Sequence, residues 1–332
     1  MKKLKFVFGL ILSILFLYLA FRSVDLLQMI QALKSGRYLY VLPATGALLL
    51  SHYFRSLRWR YFLDPIGRTD SRSLFSALII GYMANTVTPA HLGEFLRAYV
   101  LSRKKRMAME SVFATIVVER IIDVVTLVLL MLLVLWLYPF PSWVIVSGCI
   151  MFGAVMGICL LLLASKRFDT HINTILCRLL PQTLGHKIAC SLNNFLSGIV
   201  PLKQRSDSVP VLFYTAAIWL CYALSYYFAL SVFELNALYD LPWYAAIVIL
   251  VITTISIVVP SSPGYVGTYH FLCQTSLMFF GVSAEAALSY ATIAHGINVL
   301  PVMALGFVFA GHEGLRMGRP SKGEWNVRQA SL

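Results

Sequence analysis

Five charged residues lie in two short stretches of a chain that is otherwise strongly hydrophobic. Glu94 and Arg97 occur in NTVTPAHLGEFLRAYV, and Glu119, Arg120 and Asp123 occur in VVERIIDVV. Spacings of three or four residues within each stretch place these side chains on shared faces of a helix. Arginine binds phosphate in a bidentate manner, whereas carboxylates can hold arginines in place or take up protons. The pattern predicts a functional site in which Arg97 and Arg120 would be the ligands of a phosphate, and the alternative is a structural ion-pair network.

The composition identifies the surroundings of these charges. The chain has 332 residues, of which 59% are hydrophobic and only 12% are charged, against about a quarter charged in soluble domains. Apolar runs longer than about 18 residues recur, and only helices can span lipid with such sequences. An unpaired charge there costs a few kcal/mol, so the charges must pair or line a wet cavity.

The apolar runs predict an all-α, polytopic integral membrane protein. Six full spans are predicted at about 4–21, 39–54, 112–138, 142–164, 209–233 and 286–310. Two further apolar stretches, 74–100 and 242–281, are broken by Pro89 and by PSSPG, Pro260 to Gly264. Each broken stretch is interpreted as a broken or re-entrant helix pair.

The distribution of positive charge orients this arrangement. The loops 55–72 and 97–106 each contain five arginines or lysines, so both are predicted on the cytoplasmic side and the stretch between them must enter and return. The loop 234–241 has no lysine or arginine and is predicted outside, so the second broken stretch enters from the opposite face. Both termini are predicted to be cytoplasmic.

The two breaks share a motif. PAHLGEF and PGYVGTY both read Pro-x-x-aliphatic-Gly-x-aromatic. Broken helices in corresponding halves, inverted across the membrane, indicate the substrate site of a transporter; the alternative is two unrelated kinks. We expect one transmembrane domain, 1–314, with halves 1–165 and 209–314 joined by a cytoplasmic segment, 166–208, and followed by a cytoplasmic tail, 315–332.

The candidate binding residues come from both broken stretches and the helices beside them. Prolines and glycines would break the half-helices and let backbone approach a headgroup. The histidines are candidates for ligand or proton roles, with plain structural hydrogen bonding as the alternative. The predicted substrate-binding residues are Asn85, Pro89, His91, Gly93, Glu94, Arg97, Glu119, Arg120, Asp123, Pro263, Gly264, Gly267, Tyr269, His270, His295 and Asn298.

Motifs for other chemistry are missing from the sequence. There is no glycine-rich nucleotide loop, metal-spaced cluster or nucleophile elbow, so no cofactor and no catalytic residue is predicted. The net charge of +13 lies mostly in loops, where it favours anionic lipid heads rather than nucleic acid.

These residues carry a resemblance to a known family. The pattern Asn85…Pro89-x-x-x-Gly93-Glu94-x-x-Arg97, the basic run 103–106 and Glu119-Arg120-x-x-Asp123 resemble the transmembrane region of lysylphosphatidylglycerol synthases, also called flippase-like domain proteins. Pro263-Gly264-x-x-Gly267, His295, Asn298 and Pro301 agree in the second half. Two positions depart from the pattern, because many members have Arg in place of His91 and Glu near His270.

The resemblance implies a polytopic inner-membrane protein that handles lipids. In the multiple peptide resistance factor, such a region precedes a soluble aminoacyl-transferase domain and is associated with moving aminoacylated phosphatidylglycerol between leaflets. This chain ends soon after its last predicted span, so we expect the transferase domain to be missing.

The predicted function is a lipid translocase, or a lipid-binding membrane protein, for an anionic or zwitterionic headgroup in a bacterial-type plasma membrane. Transport without catalysis is the expectation. One alternative is a membrane-embedded transferase acting on a lipid carrier, with Glu94 or His91 as base. Another is an accessory subunit that docks a separate lipid-modifying synthase through 166–207. The lipid, the energy source and the oligomeric state stay open.

Overall fold

The computed structural model of this chain describes residues 2–22, 24–88, 92–138, 207–258 and 263–314, together with positions 142, 146, 150, 153 and 157. Regular structure in these ranges is entirely helical, which confirms the predicted all-α polytopic class. Numbered along the described chain, the helices are α1 Lys2–Phe21, α2 Leu26–Lys34, α3 Val41–Leu63, α4 Ser71–Val87, α5 Gly93–Lys105, α6 Met109–Leu137, α7 Ser208–Val232, α8 Leu235–Leu238, α9 Ala245–Val258, α10 Thr268–Met278 and α11 Ala284–His312.

Three of the predicted spans correspond to long apolar helices. α6, α7 and α11 are each long and apolar enough to cross a membrane, and the end of α1 forms with α2 a bent pair, at 84°, that meets the same criterion. The predicted span 4–21 coincides with α1. The predicted span 142–164, the segment 166–207 and the tail 315–332 lie almost entirely outside the described residues.

The predicted loop 55–72 is wrong over its first half. α3 runs from Val41 to Leu63, so the predicted span 39–54 continues as helix through Arg55 and Arg58. Both arginines are buried, with 3% and 0% exposure. The positive-inside rule assigns clustered arginines to a loop, but these two have buried acidic partners and therefore stay inside the protein.

The first broken stretch folds as a helical hairpin. α4 packs against α5, and Lys105 at the end of α5 forms a salt bridge with Asp70 at the start of α4. The chain therefore enters and returns at one end, as predicted. The two helices approach so closely at Gly93 that a Cβ there would lie only 1.9 Å from the carbonyl oxygen of Gly81. A side chain at Gly93 would force them apart.

The second broken stretch forms a comparable hairpin that opens in the other direction. α9 packs against α10, and its open end lies near the start of α11, where the Ser283 N–H donates to the Tyr239 hydroxyl at 3.4 Å. The first hairpin opens near the other end of α11, where Lys104 contacts Glu313 at 2.5 Å. α11 has 29 residues and is about 43 Å long at 1.5 Å per residue. The two hairpins thus open at opposite ends of the molecule.

Two apolar clusters hold these hairpins in place. One contains Trp59, Ile80, Leu101 and Ile116, and fixes α3, α4, α5 and α6 together. The other, around Leu230, Ile249, Leu277 and Tyr290, fixes α7, α9, α10 and α11. α4 packs against the short turn Pro263–Tyr265 that precedes α10, so the turns of the hairpins meet within the protein.

Candidate functional site

The turn of the first hairpin is secured by Asn85. Its side-chain oxygen accepts the N–H of Gly93 at 2.8 Å, and its amide donates to Glu94 at 3.4 Å. Gly93 begins α5, so Asn85 satisfies an N–H group that would otherwise lack a partner at the helix start. Pro89 and His91 lie outside the described residues, and their predicted roles stay predictions.

Glu94 contacts Arg120, one of the two arginines that the sequence singled out as phosphate ligands. The Arg120 guanidinium donates to Glu94 and also lies 3.6 Å from Asp123, its neighbour at i+3. An acidic group in the first turn of α5 is favourable at a helix N-terminus, and Arg120 balances its charge. This ion pair connects the hairpin turn to α6.

Behind this pair, Glu119 and Arg97 form a fully buried interaction. The Arg97 guanidinium donates to Glu119 at 2.8 Å and lies over the ring of Trp59 at 3.7 Å. Exposure is 0% for Glu119 and 1% for Arg97. Such a position suits a residue that holds the site together, whereas a phosphate ligand needs access to the cavity.

Two arginines that the sequence reasoning missed complete the network. Arg55 donates to Glu119 at 3.0 Å and also to Asp123. Arg58 donates to Asp123 at 2.7 Å and to Thr215 at 3.0 Å. Two arginines from α3 thus meet the two buried acids of α6.

A sequence signal could have revealed these two arginines. In HYFRSLRWRYFL, residues 52–63, the arginines at 55 and 58 are three apart and thus share a helix face. The neighbouring Trp59, Phe62 and Leu63 are large apolar residues at helical spacing. That pattern is typical of a helix that continues beyond the predicted span 39–54 and turns its charged face towards the protein interior.

The network carries one excess positive charge. Within the part of the chain that the structure describes, four arginines face three carboxylates: Arg55, Arg58, Arg97 and Arg120 against Glu94, Glu119 and Asp123. We refer to these seven residues as the charged cluster. An uncompensated positive charge away from bulk water is unfavourable and attracts an anion.

The charged cluster faces a cavity of about 690 Å³. Arg55, Glu94, Arg120 and Asp123 line its charged end, and the Arg120 side chain is 37% exposed. Arg97 and Glu119 do not line it, although the sequence predicted that both would. A second part of the lining, which we call the neutral wall, is formed by Tyr226, Tyr265, Tyr269, His295 and Asn298.

The turn of the second hairpin also borders the cavity, where Tyr265 lines it. Pro263, Gly264 and Tyr265 form a 3₁₀ turn in which Gly264 has φ 72°, a left-handed conformation that suits glycine. The Gly264 carbonyl accepts a hydrogen bond from His295 at 2.7 Å. A Cβ at Gly264 would lie 3.7 Å from Thr86 of α4, so the two hairpin turns are in contact.

Hydroxyl and amide groups extend from this turn along the neutral wall. The Tyr269 hydroxyl donates to that of Tyr226 at 3.2 Å, and Asn298 donates to Tyr269 at 3.5 Å. The Tyr226 hydroxyl lies 2.8 Å from that of Thr253. These groups bring Tyr269, His295 and Asn298, all predicted from sequence, to one surface.

Gly267 and His270 also lie away from the cavity. A Cβ at Gly267 would lie 2.4 Å from the Ser13 carbonyl oxygen, so Gly267 permits close packing of α1. His270 is buried, and its ring centroid lies 4.9 Å from that of His295. Among the described atoms, its Nδ1 has no hydrogen-bond partner.

Comparison with known proteins agrees with this architecture. Residues 6–306 match the family described as the lysylphosphatidylglycerol synthase TM region. The chain belongs to this family. It is therefore a multi-pass membrane protein of the lysylphosphatidylglycerol synthase TM type, and the charged cluster lies within the part that matches.

Two relatives are similar over most of the chain, and a third is similar over part of it. A UPF0104 membrane protein of Methanocaldococcus jannaschii is 23% identical over 90% of this chain and 92% of its own length. Another, of Methanothermobacter thermautotrophicus, is 22% identical over 83% and 86%. The glycosyltransferase AglD of Haloferax volcanii is 31% identical over 38% of this chain and 20% of its own length. No solved structure matches the chain significantly.

Proposed function

We propose that this member of the lysylphosphatidylglycerol synthase TM family binds the phosphate-containing headgroup of a membrane lipid and moves it between leaflets. The observation that carries the proposal is the excess positive charge of the charged cluster at one end of the cavity. Arg55 and Arg120 are the arginines that line the cavity, and planar guanidinium groups suit phosphate oxygens.

The rest of the cavity suits a lipid. Between its charged and neutral walls, the lining contains apolar side chains from several helices, namely Leu48, Val124, Leu127, Leu250, Val299 and Val302. A lipid has a charged headgroup joined to apolar chains, so one cavity offers both environments. A volume of about 690 Å³ is within the range of small-molecule sites, about 300–1,000 Å³.

The two hairpins supply a route for alternating access. They open at opposite ends of α11, and their turns meet at the cavity. Movement of one hairpin while the other stays closed would expose the headgroup to one side at a time. The ion pair between Glu94 and Arg120 joins the first hairpin to α6, so a phosphate that competes for Arg120 would loosen this contact.

Reconstitution tests the proposal. The purified protein is placed in liposomes that contain a lipid with a fluorescent headgroup label, and a membrane-impermeant quencher reports which leaflet holds the label. Arg120→Lys and Arg55→Lys keep the charge but lose the planar donor geometry, so both should fold and lose transport. Arg60→Lys is the matched control on α3, because Arg60 is half exposed. Equal transport by all variants would contradict a phosphate site.

A membrane-embedded transferase is the second candidate. It is favoured by the similarity to a protein named a glycosyltransferase, although the match covers 20% of that protein. Mass spectrometry of the lipid after transport separates the two functions. A translocase leaves the lipid unchanged, and a transferase alters its mass.

We also propose that the end of the molecule containing Lys104, Lys105 and Glu313 is cytoplasmic, because lysine and arginine are concentrated there. In a cysteine-depleted background, cysteines at Pro65 and Ala237, both exposed, should label from opposite sides of the membrane. Labelling of the Pro65 position from the cell exterior would reverse this orientation.

A further inference from the structure

We infer that the cavity selects a singly charged phosphodiester headgroup over a phosphomonoester. This inference rests on the proposed function and names the substrate class of the same site. It follows from the charge count of the cluster, from the position of Glu94, and from two nitrogen atoms that have no partner within the described chain.

The net charge of the charged cluster determines how many negative charges a bound ligand should carry. Four arginines and three carboxylates of the charged cluster leave one positive charge, and each carboxylate is already in contact with at least one arginine. A phosphodiester carries one negative charge and balances it. A phosphomonoester carries close to two at neutral pH, since its second pKa is about 6. The second charge would lack a counter-charge within a partly dehydrated cavity.

Glu94 is the carboxylate that most directly opposes the second negative charge of a phosphomonoester. It lines the cavity together with Asp123, and it contacts Arg120 at the position where a phosphate would bind. A phosphodiester can share Arg120 and Arg55 with these acids. A dianion would place a second negative charge near two carboxylates, and like charges at such distances repel.

Two side chains on α3 have unused hydrogen-bonding capacity beside the cavity. Among the described residues, His52 Nδ1 and Arg55 Nε have no hydrogen-bond partner. His52 is 6% exposed and Arg55 is 3% exposed, and both side chains line the cavity. The two residues are three apart and share a helix face. Both nitrogens are covered by protein atoms, so their side chains must rotate before a bound phosphate can use them.

The apolar lining indicates that the phosphodiester belongs to a lipid and not to a soluble metabolite. The experiment therefore includes soluble competitors. Dimethyl phosphate is a phosphodiester without chains, and inorganic phosphate is its counterpart with a higher charge. Neither should compete at concentrations at which the lipid saturates the site.

Two lipids that differ by one methyl group test the charge rule. Phosphatidylmethanol is a diester, and phosphatidic acid with the same acyl chains is a monoester. Binding is measured with the full chain in an uncharged detergent, by displacement of a fluorescent acyl-labelled phosphatidylmethanol. At pH 8, phosphatidylmethanol should bind at least about tenfold more tightly, the equivalent of one pKa unit. At pH 5, where both lipids carry about one charge, the ratio should fall to about one.

Other titratable side chains also line the cavity, and the design separates their effects. At the charged end these are His52, Tyr82 and Tyr222, and on the neutral wall they are Tyr226, Tyr265, Tyr269 and His295. Tyrosine stays neutral throughout this pH range. Only the histidines could therefore change the affinity for phosphatidylmethanol between pH 5 and pH 8. The inference expects this affinity to be the same at both pH values. A change in that affinity equal to the change in the ratio would assign the effect to the histidines and overturn the inference.

Glu94→Gln provides the decisive variant, because it removes one negative charge from the cluster with little change in shape. The preference at pH 8 should shift towards phosphatidic acid by at least about tenfold. Glu110→Gln is the matched control, since Glu110 is exposed in the first turn of α6, and its ratio should equal that of the unmodified protein. Thermal unfolding of both variants verifies that they are folded.

The outcomes separate the inference from the proposed function. Equal or tighter binding of phosphatidic acid at pH 8, or an unchanged ratio in Glu94→Gln, overturns the charge rule while lipid binding stands. Competition by dimethyl phosphate as strong as that by the lipid overturns the lipid source. Failure of both lipids to bind the unmodified protein overturns the proposed function as well.

Discussion

The two hairpins have the same outline but different chemistry. In the first, α4 and α5, the turn is held by Asn85 and by the ion pair between Glu94 and Arg120. In the second, α9 and α10, the turn is held by a glycine in the left-handed conformation and by a histidine that donates to its carbonyl. A break in a membrane helix can thus be satisfied by charged or by neutral groups.

This difference shows how the cavity becomes asymmetric. The charged cluster supplies all the charged lining residues in the described part of the chain, and the neutral wall supplies only neutral ones. An amphipathic ligand can then bind in one orientation, with its phosphate towards α3 and α6. Buried ion pairs are also more sensitive to the loss of one partner than neutral hydrogen bonds are, so the comparison between the hairpins can be tested.

The largest effect is expected at Glu119. Glu119→Gln removes the acid that Arg55 and Arg97 share and should lower the free energy of unfolding by about 3–5 kcal/mol. Tyr269→Phe, in the second hairpin, removes one neutral hydrogen bond donor and should cost about 0.5–1.5 kcal/mol. Unfolding in detergent measures both. Equal losses would show that the charged contacts of the first hairpin with α6 and the neutral contacts of the second hairpin do not differ in this way.

Gly93→Ala should have the next largest effect. The added methyl group would overlap the Gly81 carbonyl and Asn85, so α4 and α5 must separate at a cost of about 1–3 kcal/mol. Gly46→Ala in α3 is the matched control, because nothing lies within 4 Å of its Cβ position. That change should be neutral or slightly stabilising, and a similar loss at both positions would exclude close packing as the cause.

A smaller effect is expected at His295. His295→Leu removes the donor to the Gly264 carbonyl and should lower the free energy of unfolding by about 1–2 kcal/mol. His312→Leu, at the exposed end of the same helix, should have little effect. If His295→Leu is also neutral, the second turn is held by its backbone conformation and not by this hydrogen bond.

The smallest effect concerns pH and the open end of the first hairpin. A hydrogen bond from Lys105 lowers the pKa of Asp70 well below its usual value. This stabilisation is present above the unfolded pKa of about 3.9 and is lost as the pH falls below it through the folded pKa. The pair is partly exposed, so the contribution should be less than about 1 kcal/mol.

Asp70→Asn isolates this contribution. Asparagine keeps the helix cap that Asp70 provides to the Ser73 N–H, because both residues are good N-caps, but it removes the ion pair. The variant should lose the small fall in unfolding temperature between pH 4 and pH 2.5 that the unmodified protein shows. The same fall in both proteins would place the titrating group elsewhere.

Local features of the sequence predicted much of this arrangement. Long apolar runs require helices because lipid cannot satisfy free backbone groups, and the basic loops around 74–100 predicted a stretch that enters and returns. Spacings of three and four residues predicted the contact of Arg120 with Asp123, and the rule that buried charges must pair predicted its contact with Glu94. Each of these inferences depends on neighbouring residues or on a requirement of the membrane.

Only the tertiary structure decided which charges belong to the site. Arg55 and Arg58 read as loop arginines, because their acidic partners lie 64 and 65 residues further along the chain and no local pattern connects them. For the same reason Arg97, three residues from Glu94, proved to pair with Glu119 behind the cavity. Helix packing alone determines which face of α3 meets α6, and thereby the charge and the lining of the cavity.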